Sequence, residues 1–359
     1  MAILVDVGVA GPPQSSTPDL ADPRWFLADL HVPERWCGML RVDEDVIDRS
    51  SFLDTRIEAP LDQVVRCSVA QAAAATMHGG RIAWLFHTSF CASTLLARAL
   101  HLAPFTVALK EPLVLRRLAD ARYRGWSLDG LVEPCVRLLG RPWHPDGAVV
   151  IKPTHVALNL AGDLLAATPG SRAIVVTCSL PEFLISNLKK PASSQARIPE
   201  LIERMLRASS FGARLSPAAL RPPDMLCAAG LQWAATREIV RDVVASAGAD
   251  RVRVLDMQPL LANLGDTVVE CARWLQLRAP AAALAAQARE VGARNAKAME
   301  VPYGPERRAY EASLVVHHHG EPLQRALGWL RNLVVPAMTP EAWATPAAWP
   351  ASGRVAGPG

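Results

Sequence analysis

The chain has 359 residues, half of them hydrophobic and a fifth charged, with a formal net charge of +4. A chain of this length and apolar content can bury a large core, so predominant disorder is excluded. No run approaches the roughly 20 apolar residues of a membrane-spanning helix, and no basic residue precedes the short apolar run at the start. We therefore expect a soluble, cytoplasmic protein without a signal peptide or a membrane span.

The cysteines and the charge pattern exclude further classes. Seven cysteines are scattered along the chain and never spaced C-x-x-C, which argues against a disulfide framework and a zinc knuckle. Basic residues are dispersed among nearly as many acidic ones, without a Lys/Arg run longer than a pair, so specific nucleic-acid binding is not expected. Of the 38 basic residues only five are lysines: Lys110, Lys152, Lys189, Lys190 and Lys297.

Five strands are predicted after a less regular N-terminal part. Residues 1–80 are mixed in composition and interrupted by prolines, and we interpret them as a small N-terminal annexe. From residue 81 onwards, short and almost continuously apolar runs alternate with helical patterns, which is typical of strands buried on both faces. The predicted strands are residues 81–87, 105–109, 148–152, 172–178 and 251–256.

Helical patterns fill the segments between and after these strands. This alternation predicts an α/β domain at 81–335, with a parallel central sheet flanked by helices. The last segment, 336–359, is rich in proline and glycine and is expected to form a loose tail. The predicted helices are 93–102, 112–124, 155–167, 181–190, 225–246, 265–277, 280–291 and 321–334.

The segment after the first strand combines hydroxyl side chains with a predicted helix start. Residues 88–94, with the sequence TSFCAST, lead into a helix that opens at Ser93 and Thr94. Unpaired amides and the positive end of a helix dipole suit a phosphate or sulfate group there. The nucleotide pattern G-x-x-x-x-G-K-[ST] does not fit, because His87, Ala92 and Ser93 stand where glycine, glycine and lysine belong. The alternative is a hydroxyl-capped helix in an ordinary α/β domain.

This segment resembles the 5'-phosphosulfate-binding loop of the sulfotransferase family, usually written P-[RK]-[ST]-G-[ST]-[ST]-L-L. Ser93 and Thr94 match the hydroxyl pair that precedes Leu-Leu. Phe90 stands for the cation of the pattern, Cys91 for a Ser/Thr and Ala92 for the glycine. The resemblance implies a donor-binding loop made of Ser89, Phe90, Cys91, Ala92, Ser93 and Thr94.

Two further segments resemble the family in the same order along the chain. LKEPLVL, at 109–115, resembles the second-strand segment of bacterial members that ends in Glu-Pro. VVIKPTHVAL, at 149–158, resembles the third-strand Lys-Thr-His segment of cytosolic members, with Pro153 inserted. The resemblance leaves Lys110 or Lys152 to supply the cation that is missing from the loop.

The later part of the chain carries the rest of the resemblance. Residues 172–190 are similar to the strand, turn and serine-bearing helix that bind the donor's 3'-phosphate, with a serine in place of the usual arginine. Residues 251–277 resemble the late strand of the family and the helix after it, whereas the C-terminal R-K-G loop is absent. The resemblance spans 81–333 and indicates a divergent bacterial member. It implies a 3'-phosphate site at Ser179, Ser186, Lys189 and Lys190.

The resemblance implies sulfuryl transfer from 3'-phosphoadenosine 5'-phosphosulfate (PAPS) to a hydroxyl or amine of a small-molecule or carbohydrate-like acceptor, with no metal. His155 lies three residues after Lys152, close enough to face one pocket. We expect His155 to take the acceptor's proton and Lys152 to stabilise the bridging oxygen of the leaving group. Glu111 is the alternative base, because the glutamate of the Glu-Pro segment can act as the base in bacterial members of the sulfotransferase family.

Two other functions fit the sequence. A small-molecule kinase, or another P-loop nucleotide-binding protein, needs a magnesium-holding aspartate, for which only Asp256 is available. A non-catalytic binding or scaffold protein could have kept the fold without the chemistry. Cys91 lies near a helix N-terminus and is expected to have a lowered pKa. Residues 317–319, three consecutive histidines, are expected in a loop before the last helix rather than in a metal site.

Overall fold

The structure is a computed structural model that describes residues 17–75 and 79–344. The apolar start of the chain and residues 345–359 of the expected tail therefore lie outside the described residues. The N-terminal part forms a small antiparallel sheet in the order β1-β2-β3 with two short helices, which the sequence pattern did not predict. Its elements are β1 (Trp25–His31), β2 (Trp36–Arg41), α1 (Glu44–Arg49), β3 (Val65–Ser68) and α2 (Val69–Ala74).

A five-stranded, all-parallel sheet forms the centre of the fold, with helices packed against it, so the predicted α/β class is confirmed. The strand order is β5-β6-β4-β7-β8. Each strand is almost continuously buried, as an apolar run without alternation requires. The strands agree with prediction to within one residue at each end: β4 (Arg81–His87), β5 (Thr106–Lys110), β6 (Ala148–Lys152), β7 (Arg172–Thr177) and β8 (Val252–Asp256).

Eleven helices follow α2 up to residue 292 among the described residues. The helix predicted at 155–167 is divided into a 3-10 turn at 155–160 and a short α-helix, with Leu160 at the break (φ −107°, ψ −2°). The helices are α3 (Ser93–Ala99), α4 (Leu113–Tyr123), α5 (Val132–Leu139), α6 (Ala161–Ala166), α7 (Leu180–Leu188), α8 (Ala192–Gln195), α9 (Ile198–Arg207), α10 (Met225–Ala247), α11 (Met257–Ala262), α12 (Leu264–Trp274) and α13 (Ala281–Gly292).

The C-terminal part begins with a hairpin and continues as a long, kinked helix. The prediction of a loop at 317–319 is wrong, because His317 and His318 are helical and His319 lies at a kink within the long helix. The helix bends at His319 (φ −126°, ψ 22°), since the ring of Pro322 clashes with the preceding turn and removes a hydrogen bond. The elements are β9 (Arg294–Asn295), β10 (Ala298–Pro302), α14 (Pro305–Leu333) and α15 (Pro340–Trp343).

The N-terminal segment is bonded to the edge of the parallel sheet. The Leu53 amide donates to the Lys110 carbonyl (2.6 Å), and the Leu113 amide donates to the Leu53 carbonyl (3.0 Å). On the neighbouring helix, Arg117 forms an ion pair with Asp29 at 2.8 Å. These contacts bring residues 52–56 to the carboxyl end of the sheet, beside the ends of β5 and β6.

No helix among the described residues combines the length and the apolar character needed to cross a membrane. The described end of the chain packs against α10 rather than forming a loose tail up to residue 344. The Arg237 guanidinium donates to the carbonyls of Ala342 (2.8 Å) and Ala344 (2.6 Å). Residues 336–344 therefore do not form the expected loose tail. The rest of the predicted tail, residues 345–359, lies outside the described residues.

Candidate functional site

Two crossover connections diverge at the middle of the parallel sheet. The chain leaves β4 towards β5 at one edge, whereas it leaves β7 towards β8 at the opposite edge. In open parallel sheets, ligands bind outside the carboxyl ends of the strands at such a switch point. The loop at 88–92, which joins β4 to α3, lies at this point.

Left-handed backbone is concentrated at this edge. Ser89 (φ 72°), Phe90 (φ 53°) and Ala92 (φ 61°) lie in the loop, and Glu111 (φ 57°) follows β5. They are four of the seven non-glycine residues with positive φ among the described residues. Such conformations cost about 1–3 kcal/mol each and cluster at functional sites. The local geometry therefore marks the ends of β4 and β5 as the candidate site.

The loop backbone presents amide groups that have no carbonyl acceptor. The first amide of α3 to bond is that of Leu96, which donates to the Ala92 carbonyl at 3.1 Å. The amides of residues 90–95 make no bond to a backbone carbonyl within the described chain. Successive amides without carbonyl acceptors around left-handed residues form an anion-binding concavity. The Thr88 and Thr177 hydroxyls nearby are buried and have no hydrogen-bond partner among the described residues.

Phe90 occupies the position where the sulfotransferase pattern has a cation, and its ring supports a lysine from another element. The Phe90 ring packs against Phe183 of α7, with 5.3 Å between the ring centroids. The Lys190 Nζ, just beyond the end of α7, lies 5.4 Å from the centroid of the Phe90 ring. Lys190 has no carboxylate within 4.0 Å among the described residues. A positive charge thus lies beside the loop although the loop sequence lacks one.

A second lysine reaches this region from the β9–β10 hairpin. The Arg98 Nε donates to the Ala296 carbonyl (2.7 Å), and the Ser51 hydroxyl donates to the Lys297 carbonyl (2.9 Å), which fixes the turn. The Lys297 side chain is exposed, its Nζ lies 5.6 Å from the centroid of the Phe52 ring, and it forms no ion pair with a described residue. Surrounding protein atoms, and next the charge of Lys190, lower its pKa to about 8. Sequence reasoning missed this residue, for which the only signal was the scarcity of lysine.

A chain of polar contacts links the ends of β4, β5 and β6. Lys152, the last residue of β6, is fully buried and donates to the Glu111 Oε1 at 2.6 Å. Its Nζ also lies 3.1 Å from the Nε2 of His87, the last residue of β4. The His155 ring lies 6.2 Å from the His87 ring, measured between centroids. The structure therefore brings together the three residues for which the sequence predicted catalytic roles.

Both histidines of this cluster are neutral at pH 7. Burial lowers the pKa of His155 to about 4, against a smaller raising effect of Glu111. Burial, and next the charges of Lys152 and His155, also place the pKa of His87 well below its usual value. The His155 Nε2 is buried and has no hydrogen-bond partner among the described residues. The cluster therefore contains a neutral imidazole whose ring nitrogen is unpaired within the described chain but closed to solvent.

A cleft of about 230 Å³ lies over His155 and Glu111. It opens between residues 54–56 of the N-terminal part, the start of α4 and the start of α9. Because this volume is smaller than the roughly 300–1,000 Å³ of a pocket for a drug-sized ligand, it fits a single small molecule. Its ionisable lining residues are Asp54, Arg56, Glu111, Arg116, His155 and Arg197.

Two of the predicted donor-binding residues are engaged elsewhere. The Lys110 ammonium is buried and donates to the Ile47 and Asp48 carbonyls, both at 2.8 Å, so it holds the N-terminal segment and does not reach the loop. Lys189 is exposed and forms an ion pair with Glu311 at 3.4 Å. Neither side chain supplies a free cation at the loop.

The predicted serines and Asp256 cap or lie on helices. The Ser179 hydroxyl accepts from the Glu182 amide as the N-cap of α7. Ser186 lies on α7, between Phe183 and Lys190, on the helix that packs against the loop. Asp256 accepts from the Gln258 amide at 2.8 Å as the N-cap of α11.

Cys91 is part of the loop, but its expected reactivity is wrong. Its side chain is buried, and burial is the largest influence on its pKa, which is raised. The nearby amides of the loop and the charge of Lys152 oppose this effect without overcoming it. Cys91 is therefore a protonated thiol that packs beneath the loop, and not the expected thiolate.

Comparison with known proteins adds no family. No protein-family model matches the chain, and no curated protein matches it either. Among the described residues, no group of three or more His, Cys, Asp or Glu side chains is arranged to hold a metal ion.

Proposed function

We propose that this protein is a sulfotransferase-like enzyme with a P-loop-type fold. It transfers a sulfuryl group from PAPS to a hydroxyl or amine of a small-molecule or carbohydrate-like acceptor. One observation carries the proposal: Lys190, which has no carboxylate partner among the described residues, lies against Phe90 of a loop whose amides have no backbone acceptor, and Lys297 adds a second unpaired cation over the neighbouring Phe52 ring. Both features favour a polyanionic ligand at the switch point of the sheet.

The donor's 5'-phosphosulfate fits the loop at 88–94. Free amides donate to phosphate and sulfate oxygens, and the hydroxyls of Ser93 and Thr94 open the helix that follows. Lys190 and Lys297 supply the positive charge that the family pattern has at the position of Phe90. Ser186, on the face of α7 that continues to Lys190, remains the candidate for the 3'-phosphate.

The acceptor fits the cleft at the other end of the polar cluster. The donor supplies the activated sulfuryl group, and the protein must remove a proton from the acceptor. His155 has a free Nε2, but a pKa of about 4 makes it a weak base. Glu111 also lines the cleft and is held in place by Lys152. Lys152 is committed to this contact and acts by positioning Glu111 rather than by touching the leaving group.

The arrangement of the sheet supports donor binding more than magnesium-dependent phosphoryl transfer. The first strand of the sheet, β4, lies in its centre and leads directly into the loop. The aspartate that a kinase would use, Asp256, caps α11 instead. No lysine occupies the phosphate loop itself. These features favour a ligand whose charge is met by amides and by lysines from outside the loop.

Isothermal titration calorimetry of the full chain separates the candidate functions. Adenosine 3',5'-bisphosphate, the donor without its sulfuryl group, is titrated in parallel with ATP and magnesium. We expect binding of the bisphosphate and at least tenfold weaker binding of ATP with magnesium. A preference for ATP would indicate a kinase, and the absence of binding by both would indicate a scaffold; either result overturns the proposal. For variants of the two lysines, Arg325→Gln is the charge-matched control, because it removes an exposed cation that is paired with Glu321.

A further inference from the structure

The acidic residues that line the cleft are already neutralised. Asp54 forms an ion pair with Arg56, with Oδ2 and Nη2 2.5 Å apart. Glu111 accepts from Lys152 at 2.6 Å. A ligand in the cleft therefore meets little unbalanced negative charge. The net charge of the cleft therefore depends on the two other arginines that line it, Arg116 and Arg197.

Arg197 carries the positive charge of the cleft that the surrounding carboxylates do not balance. Arg116 contacts Asp120 at 2.9 Å and Arg204 contacts the same carboxylate oxygen at 2.6 Å, while Arg204 also pairs with Glu200 at 2.9 Å, so these four charges balance. Arg197, the exposed N-cap residue of α9, has no ion pair and no side-chain hydrogen bond within the described chain. Burial lowers the pKa of Arg116, and the charges of Arg204 and Arg197 add to this effect.

We propose that the cleft binds a small hydroxy compound that carries a carboxylate, with the carboxylate on Arg116 and Arg197 and the hydroxyl at His155. Guanidinium groups bind carboxylates through paired, charge-assisted hydrogen bonds. The His155 Nε2 is buried beside the cleft without a hydrogen-bond partner in the described chain, and the hydroxyl satisfies it once the ring turns towards the ligand. The cleft volume of about 230 Å³ limits the ligand to a single ring or a chain of similar size. The role of this ligand as sulfuryl acceptor rests on the proposed function.

Matched pairs of probes test the carboxylate preference by calorimetry on the full chain. One pair is 4-hydroxybenzoate and 4-hydroxybenzyl alcohol, and the other is glucuronate and methyl glucoside. We expect the acid of at least one pair to bind about tenfold more tightly than its uncharged partner, the effect of one charge-assisted contact. Equal affinities in both pairs, or no binding of either acid, would overturn the inference.

Variants locate the bound acid. Arg197→Gln is expected to weaken acid binding about tenfold and to leave binding of the uncharged partner unchanged. Because the Arg197 side chain makes no contact that holds the fold, the variant should keep its melting temperature. Arg207→Gln, which removes an exposed cation from the end of the same helix, is the matched control and should bind like the wild type.

The donor site is tested in the same experiment, so the two proposals fail separately. If Lys297→Gln, rather than Arg197→Gln, abolishes acid binding, the acid occupies the loop and the inference is wrong. If adenosine 3',5'-bisphosphate does not bind but Arg197→Gln still weakens acid binding, the cleft is an acid site and only the proposed sulfuryl transfer fails.

Discussion

Lys152 and Glu111 meet at the carboxyl ends of two neighbouring strands, with the ammonium nitrogen and the carboxylate Oε1 2.6 Å apart. The two strands pair in register, so that Lys110 is opposite Lys152 and Glu111 follows immediately. The left-handed backbone at Glu111 turns the chain at this position. A fully buried cation thus receives its carboxylate partner from the adjacent strand.

Removing the partner of this buried cation should be strongly destabilising. Glu111→Leu leaves the Lys152 charge uncompensated, and we expect a loss of about 3 kcal/mol in the free energy of unfolding. Glu111→Gln keeps an acceptor oxygen and should cost about 1 kcal/mol. Urea denaturation measures both. A loss below about 1 kcal/mol for Glu111→Leu would show that the ion pair does not carry the stability of this edge.

The same residue is one of two candidates for the base. With PAPS and an accepted substrate, replacement of the true base should lower kcat about 100-fold or more. We compare Glu111→Gln with His155→Gln, each after confirming that adenosine 3',5'-bisphosphate binds as in the wild type. A loss confined to Glu111→Gln identifies the carboxylate, and a loss confined to His155→Gln identifies the imidazole. Full activity in both variants contradicts a base in this cleft.

Stability should depend on pH through His155. Its pKa in the folded state is about 4, whereas an unfolded histidine titrates near 6.5. Between these values the unfolded chain binds more protons, so the free energy of unfolding falls as the pH is lowered from about 6.5 to about 4. This histidine contributes about 3 kcal/mol to the loss.

His155→Gln should remove that part of the pH dependence. Urea denaturation at pH 8, where the folded and unfolded histidine are both neutral, gives the cost of the substitution itself. At pH 4.5 the variant should be more stable relative to the wild type than at pH 8. A constant difference between the two proteins at both pH values would contradict the buried, neutral state of His155.

The thiols should be unreactive in the native protein. All seven cysteines are free and buried, and burial raises the pKa of Cys91 within the loop. We expect the thiol reagent DTNB to react with none of them within minutes at pH 8 and with all of them in 6 M guanidinium chloride. Fast labelling of Cys91 in the native state, located by peptide mass mapping, would show that the loop opens readily or that its thiol is activated.

The sequence allowed the parallel sheet to be predicted because its signal is local. A buried strand appears as a continuous apolar run, and each of the five runs required only its own residues. The same holds for the candidate base residues, which directly follow predicted strands. Their convergence follows from parallel strands, whose carboxyl ends share one edge.

Long-range contacts could not be predicted in this way. Lys297 is about 200 residues from the loop in the chain, and it reaches the site only because Arg98 and Ser51 hold its hairpin. The interpretation of residues 1–80 missed an antiparallel sheet in which β1 and β2 form a hairpin and β3 pairs with β2 across about 30 residues of chain. Arg197 lines the cleft through the packing of α9, a helix that was not predicted.

The affinity of adenosine 3',5'-bisphosphate for lysine variants tests the central claim most directly. Lys190→Gln and Lys297→Gln should each weaken binding about fivefold to tenfold, as the loss of one ammonium contact to an anion implies, while Arg325→Gln binds like the wild type. The double variant should bind more weakly than either single variant. Unchanged affinity in the double variant would contradict the claim that these lysines replace the cation missing from position 90.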